Sequence, residues 1–262
     1  MIKPLKETNG DLIRDHDGFV IYEESDLTPP PGMGTGALLT DLSPHLVADG
    51  IWRDEYPTEV IDPDDWPDLI NEGHGDQRKD VHWIYSQKSI GSCAAEGWCG
   101  CNDTTRSRRG AEIIQFNPYV NYYFACNGVD RGSGLGENIR VSRQRGLVPM
   151  ELWPRTGPNA HAWNDVPPDS SGIWREAAKY KPGEVYSIGN TVELASAIFA
   201  GHAVYAAYPG HAWQMIAVLS KTQGILRNSW SDTWDGDGYG VISFARVTYQ
   251  YGLYALRTTS VG

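Results

Sequence analysis

Near residue 200 the sequence stops reading as helix and begins reading as strand. Ahead of that point, Ser92 with Glu96 in the following turn predicts a helix starting at Cys93. Its small residues Ala94, Ala95, Gly97 and Gly100 suit close packing. A second helix is predicted near Leu135–Arg145, ended by Gly146, and a third over Thr191–Ala200, where Asn190 and Glu193 form a capping-box-like pair and Gly201 is the stop. Beyond it, Ala203–Tyr208, Ala212–Leu219, Gly224–Asn228, Gly238–Phe244 and Tyr254–Thr258 read as short strands parted by turn residues. Helices first and strands last predict an α+β fold whose two halves are segregated.

The 262 residues are 40% hydrophobic and 11% aromatic, enough for a sizeable core. Lys and Arg number 22 against 33 Asp and Glu, a net charge of −11 that argues against nucleic acid or an anionic membrane as partner. No apolar run approaches the roughly 20 residues needed to span a bilayer. The opening residues are polar and lack the apolar segment of a secretory signal. Cys93, Cys99, Cys101 and Cys126 are not spaced like a disulfide framework. The chain therefore reads as reduced and intracellular, in a bacterial cytoplasm or a phage or virus particle. Residues 1–62 are rich in Asp, Pro and Gly, with Thr28-Pro29-Pro30-Pro31-Gly32 favouring extended geometry. They read as an N-terminal extension, a propeptide-like or docking arm, ahead of a domain over 63–262.

A thiol nucleophile needs help to ionise, a base that later serves as acid, a group to orient that base, and donors for the oxyanion. Cys93, in Gly91-Ser92-Cys93-Ala94, stands at the expected helix tip, and Gln87 lies six positions earlier. His211 and Asn228 occupy the far ends of two strands joined by the turn Ser220-Lys221-Thr222-Gln223, so a hairpin brings them together. Trp230 is placed to shield their hydrogen bond from water.

These residues resemble a known family. Gln87-Lys88-Ser89-Ile90-Gly91-Ser92-Cys93 is similar to the active-site entry of papain-like (C1-type) cysteine proteases. Gly210-His211-Ala212 resembles their histidine motif, and Asn228-Ser229-Trp230 with Trp234 and Gly238-Tyr239 their asparagine motif. His211 and Asn228 follow Cys93 by 118 and 135 positions, against about 130–150 in the family. Phe116-Asn117-Pro118-Tyr119 and Gly146 through Pro154 look like the middle of bacterial and viral members. The resemblance spans roughly residues 63–260. It implies a two-lobed fold, a helical lobe carrying Cys93 and a β-barrel-like lobe carrying His211 and Asn228, with a polypeptide substrate extended between them. It implies Cys93 as nucleophile, His211 as base then acid, Asn228 as orienter, and Gln87 with the Cys93 N–H as oxyanion hole, with no cofactor or metal. Gly91, Ser92, Gly210 and Ala212 would border the substrate. Ile90 stands where secreted members have a disulfide cysteine, and Ala94 where an aromatic residue is usual.

The reaction implied is endopeptidase hydrolysis through a thioester acyl-enzyme. The alternatives are a catalytically silent or repurposed papain-fold structural or virion-associated protein, and a peptidoglycan amidase or transamidase. Residues 1–62 are expected either to dock along the cleft or to serve assembly into a larger particle. His202, in a second Gly-His-Ala, rivals His211 but reads as a structural or surface histidine, since it precedes the hairpin. Arg106, Arg108 and Arg109 read as a solvated helix end, well placed against the dipole. Gly132-Ser133-Gly134-Leu135-Gly136 reads as a loop opening a helix rather than a dinucleotide site.

Overall fold

The computed structural model describes residues 2–38 and 47–259; within the expected extension, Met1 and residues 39–46 lie outside the description, as do 260–262. The elements in chain order are β1 (Ala37–Leu38), β2 (Gly50–Ile51), α1 (Trp52–Glu55), α2 (Trp66–Asn71), α3 (Cys93–Arg108), α4 (Pro118–Ala125), β3 (Ser133–Gly134), α5 (Leu135–Arg145) and α6 (Ile173–Ala177). There follow β4 (Val185–Ser187), α7 (Thr191–Phe199), β5 (Ala203–Tyr208), β6 (His211–Val218), β7 (Gln223–Arg227), β8 (Tyr239–Ser243) and β9 (Tyr254–Leu256). The architecture is α+β, as the change of period predicts.

Every residue from Cys93 to Arg106 is buried, although the segment is polar. Two features make that tolerable. Glycines let the helix approach the sheet: a Cβ at Gly97 would lie 3.1 Å from the Trp213 backbone, and one at Gly100 3.0 Å from the Arg227 guanidinium. The charges are paired, Asp103 with Arg227 at 2.9 Å and Glu96 with Arg155 at 2.9 Å, which offsets their desolvation. Arg106 departs from the expected solvated end. It is fully buried, donates Nε to the Glu112 carbonyl at 3.1 Å and lies over the Tyr180 ring.

Seven of the strands form one sheet in the order β2-β4-β9-β5-β6-β7-β8, in which only β2 and β4 run parallel, and β1 and β3 form a separate parallel pair. The barrel-like lobe expected from the resemblance is thus an open sheet. Its β8 edge is covered rather than closed: the Ser25 N–H donates to Val241 O at 2.9 Å, and the Val241 N–H to Ser25 Oγ at 2.8 Å. Covering an edge satisfies its unpaired backbone groups as closure would. One core lies between sheet and α7, built on Trp52, Trp66, Leu194, Trp213 and Trp230. The other lies between sheet and α3, around Trp98, Leu135, Tyr205 and Tyr254. The α7 start is a variant of the capping box, with Asn190 Oδ1 accepting from the Glu193 N–H at 2.9 Å and Glu193 Oε2 accepting from the N–H of Gly189, one residue before the cap, at 2.7 Å.

The N-terminal residues follow the surface toward the sheet. Leu5, Ile13 and Ile21 form a closed ring of backbone hydrogen bonds, each N–H donating to the carbonyl of another. Tyr22 and Ser25 then run beside β7 and β8, held by Gln223 and Val241. Further on, β2 pairs with β4, and Trp52 of α1 is wholly buried.

Candidate active site

The tip of α3 and the hairpin β6–β7 meet at the sheet face. Ser92 precedes the helix but makes no side-chain cap; its hydroxyl donates instead to Glu96 at 3.2 Å. Cys93 is the first helical residue and is wholly buried. Burial pushes its thiol up to about 11, against a smaller downward pull from the nearby backbone N–H groups of Ala212, Gly36 and Ala94.

His211 opens β6, paired across the hairpin with Tyr208 of β5. Its Nε2 lies 2.7 Å from Asn228 Oδ1, which also accepts from the Ser229 N–H at 2.7 Å. A backbone N–H can only donate, so the amide orientation is fixed and the His211 Nε2 must carry the proton. Nδ1 therefore holds a lone pair, and it is buried without a hydrogen-bond partner among the described residues, the thiol included. Burial pulls the His211 pKa down to about 4, against a smaller upward pull from Asn228. Trp230 stacks on the imidazole with ring centroids 4.4 Å apart and planes 22° from parallel. The Asn228 Nδ2 is also buried and unpartnered.

Gln87 is wholly buried and held at both ends of its amide. Oε1 accepts from Ser229 Oγ at 2.7 Å, while Nε2 donates to the Gly34 carbonyl at 2.8 Å and the Ile90 carbonyl at 2.9 Å. Ser229 thus ties Gln87 to the asparagine strand, a positioning link for which its place beside Asn228 in the motif is the only signal in the sequence. Among the positions expected to border a substrate, Gly210 O accepts from the N–H groups of Gly36 (2.9 Å) and Ala37 (3.3 Å), the Ala212 N–H lies near the sulfur, Gly91 is buried against the same strip, and Ser92 is buried.

That strip is the N-terminal arm. Gly34 N–H donates to Lys88 O at 2.8 Å, Ser133 N–H to Gly36 O at 2.7 Å, and β1 pairs parallel with β3. A Cβ on Gly36 would press into the carbonyl of Gly91, and one on Gly34 into that of Ile90. Only glycine passes at those two points. The Gly132-Ser133-Gly134 loop, expected merely to open a helix, is one wall of this slot. His202 lies elsewhere, on the far side of β5, where its Nδ1 accepts from Trp52 Nε1 at 3.0 Å.

The arrangement holds a thiol, an imidazole with a free lone pair and a fixed carboxamide donor around one narrow slot. That set can carry acyl transfer. The chain is similar in structure to xylellain, a cysteine protease from Xylella fastidiosa, with 16% identity over 89% of this chain and 99% of that one and a TM-score of 0.67. It is similar also to the digestive procathepsin L2 proteinase from the Tenebrio molitor larval midgut, 16% identical over 88% of this chain and 80% of that one, TM-score 0.62. A third is procathepsin B S9 from Trypanosoma congolense, 16% identical over 85% of each, TM-score 0.54. No protein-family model and no curated protein sequence matches the chain. At these identities the likeness is one of fold, and the fold is that of papain-like cysteine proteases.

Proposed function

We propose that the chain is a cysteine peptidase held latent by its own arm. The observation that carries this reading is the His211–Asn228 bond under Trp230, which leaves Nδ1 with a lone pair one residue before Ala212, whose backbone N–H lies near the helix-tip sulfur. In the reaction, His211 Nδ1 takes the Cys93 proton and the thiolate attacks the scissile carbonyl carbon. The oxyanion receives hydrogen bonds from Gln87 Nε2 and from the Cys93 N–H, which as the first N–H of a helix has no helical partner. The imidazolium then gives its proton to the departing amine, leaving a thioester. Water, deprotonated by Nδ1, hydrolyses the thioester and restores the thiol. Asn228 keeps Nε2 protonated throughout and supports the transient imidazolium.

The arm reaches this site at two points. The sulfur meets the Gly36 N–H, whereas the carbonyl that reaches Gln87 belongs to Gly34. No described helix is long and apolar enough to cross a membrane.

The test compares the parent, Gly36→Ala and Gly36→Ala/Cys93→Ala on a quenched-fluorescent peptide library and on purified cell-wall fragments. Peptide turnover that appears with Gly36→Ala and vanishes with Cys93→Ala is expected. Turnover of wall fragments alone would replace the peptidase reading with amide hydrolysis of peptidoglycan. Inertness of Gly36→Ala toward both, with Cys93 no more reactive than the other thiols, would establish a repurposed scaffold.

A further inference from the structure

A cleft of about 670 Å³ lies at the opposite end of α3 from Cys93. The helix has 16 residues, so its two ends are about 24 Å apart. Arg108 and Arg109 from the end of α3 line the cleft together with Arg257, which follows β9. In a chain of net charge −11 this is a local concentration of cations. Arg108 is paired with Asp80 at 3.0 Å and Arg257 with Glu184 at 3.1 Å. Arg109 spends only Nε, on the Arg257 carbonyl at 3.1 Å, and has no carboxylate partner among the described residues.

Two further groups there lack partners. His202 is only 6% exposed and lines the cleft. Its Nδ1 accepts from Trp52, so Nε2 carries the proton, and that N–H donates to no described residue. Burial first, then the charges of Arg257, Arg109 and Arg108, push its pKa down to about 4, so the ring is a neutral donor sensing the cationic field. The carboxylate of Glu59 also lines the cleft, and its Oε2 is buried with no hydrogen-bond partner among the described residues. A buried acceptor and an imidazole N–H left open at the wall of one cleft suit a ligand offering the complement of each.

We propose that this cleft binds a phosphorylated polyhydroxy small molecule, its phosphate on Arg109 and the His202 Nε2–H and a hydroxyl donating to Glu59. A bare oxyanion would satisfy the guanidinium and imidazole but be repelled by Glu59. A neutral polyol would satisfy Glu59 and leave Arg109 unpaired. The planar guanidinium fork suits phosphate oxygens bidentately, and the Phe199 side of the cleft offers an apolar wall for a ring.

The experiment titrates the full chain by calorimetry with ribose 5-phosphate, with inorganic phosphate and with ribose, following the His202 side-chain N–H by NMR. Ribose 5-phosphate is expected to bind saturably at one site, at least about tenfold more tightly than either fragment, and to shift the His202 resonance. Arg109→Gln should weaken it by about tenfold or more, as expected for loss of a charge-assisted hydrogen bond. Glu59→Gln should weaken ribose 5-phosphate while leaving inorganic phosphate at least as well bound. Absence of saturable binding would overturn the proposal. So would affinities unchanged in both variants when their circular dichroism matches the parent, or ribose binding as well as its phosphate ester.

Discussion

Replacing Gly36 by alanine should convert an unreactive thiol into a reactive one. The docked arm is held at the site by Gly36 to Gly210, Ser133 to Gly36, Gly34 to Lys88 and Gln87 to Gly34, four hydrogen bonds of 2.7–2.9 Å. At roughly 0.5–1.5 kcal/mol each, they hold the arm down by about 4 kcal/mol, so about one molecule in a thousand is open at any moment. Cys93 is 0% exposed in the docked state and reacts only from the open one. The alanine Cβ would press against the Gly91 carbonyl, and that backbone atom cannot rotate away, so docking is lost and not merely weakened. Iodoacetamide labelling of Cys93, mapped by mass spectrometry at neutral pH, should then accelerate by about 10² to 10³. Cys99, Cys101 and Cys126, all buried, serve as internal references in the same spectra. A Cys93 rate within about twofold of the parent, in a variant that keeps its thermal stability, would refute the argument that the arm gates the thiol.

His211 and His202 both have folded pKa values of about 4, burial being the larger cause for each, against an ordinary 6.5. The unfolded chain binds protons in that interval that the folded chain refuses. The stability contributed is therefore complete above pH 6.5 and is lost as pH falls toward 4, by at most about 3 kcal/mol per ring. Urea midpoints measured across that interval should fall, and fall less in His202→Gln; an identical decline in the two proteins would count against it. Asp103→Asn would leave Arg227 buried without its counter-charge, an expected loss of about 3–5 kcal/mol, readable as a drop of roughly 10 °C in Tm. On the proposed oxyanion role of Gln87, Gln87→Ala in the Gly36→Ala background should cut kcat by about 10²- to 10³-fold with little change in KM, provided circular dichroism shows that loss of its bonds to Ile90 and Ser229 leaves the fold intact. A loss confined to KM would show that Gln87 only binds ground-state substrate.

What could be read in advance was what local chemistry writes. The Asn190–Glu193 box and the Gly146 stop are signals within one helical turn of the feature they produce, and α7 and α5 lie where those signals put them. The approach of His211 to Asn228 follows from hairpin arithmetic, which needs only a turn and two strand lengths. The Gly97 and Gly100 face was legible too, because small residues on a helix have few uses other than close packing. Features that depend on distant chain were not legible. Gly34 and Gly36 look like ordinary linker glycines until Ile90 and Gly91 are seen against them. Arg106 carries the pattern of a solvated helix end, and only Tyr180 and the Glu112 carbonyl make it an interior residue. An open sheet and a closed one share the same strand periodicity; the difference lies in Ser25 covering the β8 edge from more than 200 positions away.

The arm does more than stand in the way. A thiolate–imidazolium pair forms readily only when the thiol pKa lies below that of the imidazole, yet here the sulfur is raised to about 11 and His211 lowered to about 4, with burial the leading cause for both. A gap of about seven units favours the neutral pair by on the order of 10 kcal/mol, more than a Coulomb attraction of about 4 kcal/mol at contact near a protein surface returns. Gly36 is one of the groups packed on the sulfur, so its departure readmits water there. Steric blocking and drying then leave different signatures in the pH profile of labelling. If the arm only blocked, its removal would raise the rate equally at every pH. If it also dries the pair, the titration midpoint of Cys93 in Gly36→Ala should fall below the ordinary thiol value of about 8.5, toward the imidazole-paired range. A midpoint that stays above the ordinary value after the arm is released would show that the dryness belongs to the two lobes themselves, and that the arm is a plug and nothing more.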